Sequence, residues 1–232
     1  MAKGMFLMVK TAVLVSGGGT NLQAIIDANL FGEIKNCDLA AVISSNPDAY
    51  ANERARYSGI PVYIVDRAIF PNRYSFTTAI LNKLEDLEIE LAVYAGFNFI
   101  LGPQLIKKYK NRIINIHPSL IPSFCGPGYY GLRTHQAVLD HGVKLTGATA
   151  HFATDVADDG PIILQKAVPI MEDDTPQSLQ RRVMEEAEWK LLPEAISLYC
   201  EGRLKVEGRR VHIKPAVVED SQPEPNQPAT SG

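Results

Sequence analysis

Asn115 and His117 stand two residues apart in Asn115-Ile116-His117-Pro118-Ser119, where an apolar run of β type ends. Side chains at i and i+2 of a strand leave the same face, so the amide and the imidazole project together. Such a pair can stabilise a developing oxyanion and move one proton. Pro118 keeps His117 extended and stops the strand without starting a helix. Taken alone, the pattern also fits a hydrogen-bonded histidine at a strand end. A second group is Ser16-Gly17-Gly18-Gly19-Thr20-Asn21, between a strand and a helix. Glycines let the backbone approach an anion, and a helix start offers free N–H groups and the positive end of a dipole. That chemistry suits a phosphate monoester. The competing reading is a glycine-rich turn with Thr20 capping the helix. A dinucleotide fold fits poorly, because Leu22 stands at the third glycine position and Ser44-Ser45-Asn46 supplies no acid for a ribose. No Gly-Lys-Ser/Thr follows the glycines, which excludes a Walker loop. The third group, Asp155-Val156-Ala157-Asp158-Asp159-Gly160-Pro161, reads alone as a solvated acidic turn, and its spacing is not that of a calcium loop.

These groups need strands to hold them. Thr11–Ser16 is a β-type run, and Asn21–Ala28 is helical, with Leu22, Ile25 and Ile26 on one stripe. Asp38–Ser45 is a strand, Tyr50–Ser58 a helix stopped by Gly59, and Pro61–Val65 a short strand. Asn72–Leu87 is an amphipathic helix, Leu91–Tyr94 a strand, a helix follows Pro103, and Arg112–Ile116 is a strand. Near-continuous apolar strands alternating with helices imply an α/β fold: an open, mostly parallel twisted sheet with helices on both faces. Later, Ser119–Tyr130 reads as a long loop and Thr134–His141 as a short helix. Leu145–Phe152 and Pro161–Ile170 are too close for a crossover helix, so they form an antiparallel pair added at the C-terminal part. Pro176–Tyr199 is a long helix, with Thr175 as N-cap and Pro176 at N1.

Composition narrows the classes. The 232 residues carry 26 Asp+Glu against 23 Lys+Arg, a balance that argues against nucleic acid as a partner. No apolar run reaches the roughly 18 residues of a membrane span. Cys37, Cys125 and Cys200 are far apart, with no C-x-x-C pair, which suggests a reducing compartment and neither disulfide framework nor zinc site. None of the five histidines forms H-x-x-x-H, and His151, inside an alternating strand, reads as structural. No G-x-S-x-G elbow is present. The expectation is a cytoplasmic protein with no metal. It has an N-terminal extension (1–10), one catalytic domain (11–213) and a Pro/Glu/Gln-rich tail (214–232) expected to be disordered.

Four segments carry a resemblance: VLVSGGGTNLQAIIDA (Val13–Ala28), YAGFNFIL (Tyr94–Leu101), INIHPSLIPSF (Ile114–Phe124) and GATAHFATDVADDGPIILQ (Gly147–Gln165). In this order they resemble the formyltransferase family that uses 10-formyltetrahydrofolate, in particular its branch acting on glycinamide ribonucleotide, over about Thr11 to Leu204. The resemblance implies that Asn115, His117 and Asp158 are catalytic. The substrate amine would attack the formyl carbon directly, giving a tetrahedral intermediate whose oxyanion is held by Asn115 and protonated His117. Asp158 would sustain the imidazolium, since an opposite charge favours the charged ring, and help carry a proton through water. Gly19, Thr20 and Asn21 would hold the ribonucleotide phosphate and Glu188, five residues before Pro193, the ribose hydroxyls. The pterin of the folate would lie against Phe97, Asn98, Ile100, Leu101 and the turn of Asp155, Val156 and Ala157, with Arg73 at its glutamate tail. Formyltetrahydrofolate is thus a cosubstrate, the partners are two small molecules, and the protein is expected as a monomer or homodimer.

The chain departs from the family pattern at three places. Asn98-Phe99 stands where a bacterial branch has Met-Arg. The loop after Pro122 is longer, with Cys125-Gly126-Pro127-Gly128-Tyr129-Tyr130, and could cover the site as a lid. Trp189 replaces a usual His after Glu188, and the preceding helix needs a one-residue shift. The nearest alternative is formyltetrahydrofolate deformylase, which carries the same Asn, His and Asp. That enzyme has an N-terminal regulatory domain, for which the residues before Thr11 leave no space, and needs no glycine-rich phosphate turn. Methionyl-tRNA formyltransferase would need a basic C-terminal domain, where this chain is acidic and Pro-rich. A non-catalytic sensor of a phosphorylated ligand, with His117 structural, is the remaining reading.

Overall fold

In the computed structural model, which describes residues 8–216, β1 runs over Val9–Val15. It therefore takes in Val9 and Lys10, which the sequence reading had set in the extension. Residues 1–7 and 217–232 lie outside the described residues, and with them most of the expected extension and tail. The chain continues through α1 (Thr20–Leu30), β2 (Cys37–Ser44), α2 (Tyr50–Tyr57), β3 (Val62–Ile64), α3 (Arg73–Asp86), β4 (Leu91–Tyr94), α4 (Pro103–Lys108) and β5 (Ile113–His117). Then come α5 (Leu132–Asp140), β6 (Leu145–Phe152), β7 (Ile162–Pro169), α6 (Pro176–Val183), α7 (Trp189–Cys200), β8 (Leu204–Glu207) and β9 (Arg210–Ile213).

The strands form one sheet in the order β3-β2-β1-β4-β5-β6-β7-β9-β8. From β3 to β5 the pairing is parallel; β5–β6 is antiparallel, and so is β6–β7, as the short Ala153–Gly160 connection between them requires. The central strands are buried on both faces because alternate side chains feed two cores. Val13 and Val15 of β1 join Leu22, Ile25, Leu192 and Ile196 of α1 and α7, while Ala12 and Leu14 join Phe76, Ile80 and Leu84 of α3. Burying one such side chain contributes roughly 1.5–3 kcal/mol. The one-in-four spacing of Phe76, Ile80 and Leu84 is what glues α3 to that face.

Two features depart from the sequence reading. The hairpin β8–β9 was not foreseen; its four-residue strands are short and half exposed, too weak a pattern to stand out. The long helix from Pro176 is interrupted by a π-helical turn, Met184–Glu188, before α7. A π turn takes up one extra residue without breaking a helix. It lies where the alignment of Glu188 calls for a one-residue shift. Thr175 caps α6 as expected, accepting from the Ser178 N–H with Pro176 behind it.

Candidate active site

The chain visits β1, β2 and β3 in one direction and then crosses back to β4 and β5 on the other side of β1. In open α/β sheets such a switch point leaves a crevice at the carboxyl ends of the strands. Here the ends of β1, β4 and β5 carry the glycine loop, the Ala95–Leu101 loop and His117. Strands are spaced by about 4.8 Å, so the end of β5 lies about 10 Å from that of β1.

Asn115 and His117 both project toward the crevice side of β5, and the turn after β6 brings Asp158 to them. His117 is buried, with Nδ1 3.4 Å from Asp158 Oδ2 and Nε2 2.9 Å from the Phe124 carbonyl. A carbonyl can only accept, so Nε2 carries a proton, and Nδ1 is the nitrogen turned to the carboxylate. Asp158 is fixed from the other side by the Gly126 N–H, which donates to Oδ2 at 2.8 Å. Its backbone is left-handed (φ 54°), which Asp tolerates better than most side chains. Gly160 lets the acidic turn lie this close: a Cβ there would be 1.6 Å from the Phe152 carbonyl oxygen. The other two acids of the turn go elsewhere. Asp159 pairs with Arg209 of the β8–β9 turn, which holds its carboxyl below the usual range, and Asp155 is exposed.

The sequence reading set His151 aside as structural, yet the structure brings it into this group. Asn115 pairs with His151 across β5 and β6, and Asn115 Nδ2 lies 3.0 Å from His151 Nε2. His151 Nδ1 donates to the Phe152 carbonyl at 2.9 Å, so in the neutral ring Nε2 accepts from the Asn115 amide. Burial pushes the His151 pKa down and keeps the ring neutral, although Asp158 Oδ1 is 3.8 Å away. The amide of Asn115 is thereby oriented. His135 of α5 is also buried behind His117, and burial lowers its pKa to about 4. The signal for His151 was register: it sits opposite Asn115, visible only once β5 and β6 are paired.

At β1, Gly19 is the N-cap of α1 in the left-handed region (φ 74°), and no side chain caps the helix. The alternative of Thr20 as a cap is thus not borne out; its hydroxyl faces the Met184 sulfur at 3.6 Å. The first N–H groups of α1 remain open to a ligand. Asn21 Nδ2 donates to Glu188 Oε2 at 2.7 Å, so the first turn of α1 and the end of the π turn meet. Glu188 is buried, and burial raises its pKa to about 7 despite the Asn21 bond. The loop after β4 is tied to the same place, because Ser16 Oγ accepts from the Asn98 N–H (3.1 Å) and meets Ser45 Oγ (2.7 Å). Ile100 and Val156 are exposed, Phe97 and Ala157 half-buried. Phe97 stacks on Phe76, with Phe99 edge-on to both. The Leu101 side chain is in the core, so only its backbone is near the crevice, and its carbonyl accepts from Arg73. Contacts thus join Asn115, His117 and Asp158 in one group, Asn21 and Glu188 in a second, and Arg73 and Leu101 in a third. Among the described residues, no cluster of His, Cys, Asp or Glu could hold a metal, and no helix is long and apolar enough to cross a membrane.

A family model described as formyl transferase matches residues 9–196. The chain is 38% identical to a phosphoribosylglycinamide formyltransferase of Haemophilus influenzae over 206 residues, 89% of this chain and 94% of the relative. In three dimensions it is similar to glycinamide ribonucleotide transformylase 1 from Symbiobacterium toebii, with a TM-score of 0.86 and 43% identity, covering 93% of this chain and 98% of the other. A formyltetrahydrofolate deformylase from Pseudomonas syringae is more distant, at 26% identity and a TM-score of 0.80, and this chain spans 66% of it. On the length and identity of these matches, the chain belongs to the formyl transferase family.

Proposed function

We propose that the protein transfers the formyl group of 10-formyltetrahydrofolate to the amine of glycinamide ribonucleotide, giving N-formylglycinamide ribonucleotide for purine synthesis. The observation that carries this is the pairing of an uncapped, glycine-lined helix start with an Asn–His–Asp group about two strand spacings away. One end suits a phosphate, the other an acyl transfer, and the gap suits the sugar and amine arm between them. In this reading Gly19, Thr20 and Asn21 take the phosphate, and Glu188 the ribose hydroxyls. Phe97, Asn98, Ile100, Leu101 and the Asp155–Ala157 turn receive the folate, with Arg73 at its outer end.

The residues divide the work by what they can donate. Phe124 holds the Nε2 proton of His117, so the protonated ring meets the reacting carbon's oxygen from Nδ1, beside the Asp158 carboxylate that balances its charge. Asn115, held by His151, offers its second amide hydrogen to the same oxygen. Both act where negative charge develops, in a water-poor site where such bonds are strongest. Asp158 balances the imidazolium and accepts, through water, the proton that the attacking nitrogen must lose. As the tetrahedral intermediate collapses, the bond from the formyl carbon to N10 of the folate breaks and N10 takes up a proton, so tetrahydrofolate leaves.

Deformylation is the reading to exclude. The protein mixed with 10-formyltetrahydrofolate should release the deformylated cofactor only when glycinamide ribonucleotide is present. Formate released at an equal rate without the ribonucleotide would make it a hydrolase instead.

A further inference from the structure

The glycine loop is held by a helix that contributes nothing to the sequence motif. The Ala51 N–H of α2 donates to the Gly17 carbonyl at 3.0 Å, and Arg54 Nε donates to the Gly18 carbonyl at 2.9 Å. In a trans peptide the carbonyl and the following N–H point to opposite sides. Drawing the Gly17 and Gly18 carbonyls onto α2 therefore turns the N–H groups of Gly18 and Gly19 the other way, outward with the free N–H groups of α1. Arg54 also donates from Nη1 to Gln23 Oε1 at 3.1 Å, so one guanidinium ties the loop to the first turns of α1. Its position is set by packing: it lies over the Tyr50 ring at 5.0 Å, and its Cδ would be 3.3 Å from a Cβ on Gly19. Gly19 admits no side chain there, since a Cβ would also meet Ala51 Cβ at 2.7 Å.

We propose that Arg54 is a positioning residue for the phosphate group of the substrate, acting through the Gly18 carbonyl rather than by touching the reacting atoms. The proposal rests on the reading of Gly17–Thr20 as an anion cradle. Arg54 does two things there. It fixes the peptide planes that present the N–H groups, and it places a permanent cation one peptide behind the anion. Lysine would keep the charge but lose the two-pronged hold, because its donors sit on one atom.

The test is steady-state kinetics of Arg54→Gln and Arg54→Lys, with inorganic phosphate as a competitor of the ribonucleotide and a thermal melt of each variant. Loss of a hydrogen bond to a charged group predicts a rise of roughly tenfold or more in KM for the ribonucleotide and in the phosphate inhibition constant for Arg54→Gln. In Arg54→Lys both constants should rise several-fold, with kcat altered less than about twofold in either variant. A merely structural role would lower the melting temperature and active fraction without moving the phosphate constant. Unchanged constants in variants that fold, or a fall in kcat alone, would overturn the role of Arg54 while leaving the cradle intact. If phosphate does not compete in the unaltered protein, the cradle reading itself fails and this proposal with it. Should Arg54→Gln not fold, Arg54→Lys decides by the same readings.

Discussion

Asp158 meets a histidine on each side and a backbone N–H, a placement on which the proposed proton transfer rests. Asp158→Asn should lower kcat by roughly 10²–10⁴-fold, the range for lost acid–base catalysis, while ribonucleotide affinity changes little. Equal losses in both would mark it as a binding group. His117→Ala should lower kcat by a comparable factor with ribonucleotide affinity little changed; unaltered turnover in that variant would remove His117 from proton transfer. Glu188 gives a stability prediction. Its pKa is raised from 4.5 to about 7, so between those values the folded state holds a proton that the unfolded state has lost. Stability from this group is full below the unfolded value and falls as pH rises through about 7, by on the order of 3 kcal/mol. In Glu188→Gln this pH dependence should vanish, and melts at pH 5 and 8 should lie closer together than in the parent. Its KM for the ribonucleotide should rise. Asn115 and His117 were legible in the sequence because a strand's period of two puts them on one face. Arg54, Phe124 and Gly126 were not, because they act through backbone carbonyls and N–H groups that no side-chain pattern records.

The elements explain which parts of the reading succeeded. Central strands buried on both faces are continuous apolar runs, and the turns that end them carry Gly or Pro, so β1 to β5 and their helices stood out. The β8–β9 hairpin has no such run; it is held by its own ladder and by Arg209 reaching Asp159. The π turn was hidden because helical periodicity survives one inserted residue. The Ala153–Gly160 turn is the element on which the site depends most. Gly160→Ala would force its Cβ against the Phe152 carbonyl, and the backbone must shift to relieve it. The expected outcome is a loss of roughly 1–3 kcal/mol in urea unfolding. Turnover should fall at least tenfold because Asp158 moves with the turn. Normal turnover in that variant would mean that Asp158 does not need its observed place.

At the scale of the molecule, the reaction group sits where the parallel part of the sheet meets the antiparallel part, between β5 and β6. The Asn115–His151 pair crosses that boundary. Unfolding of Asn115→Ala, His151→Ala and the double variant should give a coupling of about 0.5–3 kcal/mol, since removing Asn115 leaves the buried His151 Nε2 without its partner. Additive losses would show the pair to be energetically idle. The same contact has a bearing on folding errors. A slip of one residue between β5 and β6 would turn Asn115 and His117 to the opposite face together, and His151 would no longer meet them. A misaligned molecule is therefore silent rather than wasteful: it loses the whole reaction centre at once, and keeps no partial site that could spill the one-carbon unit into water.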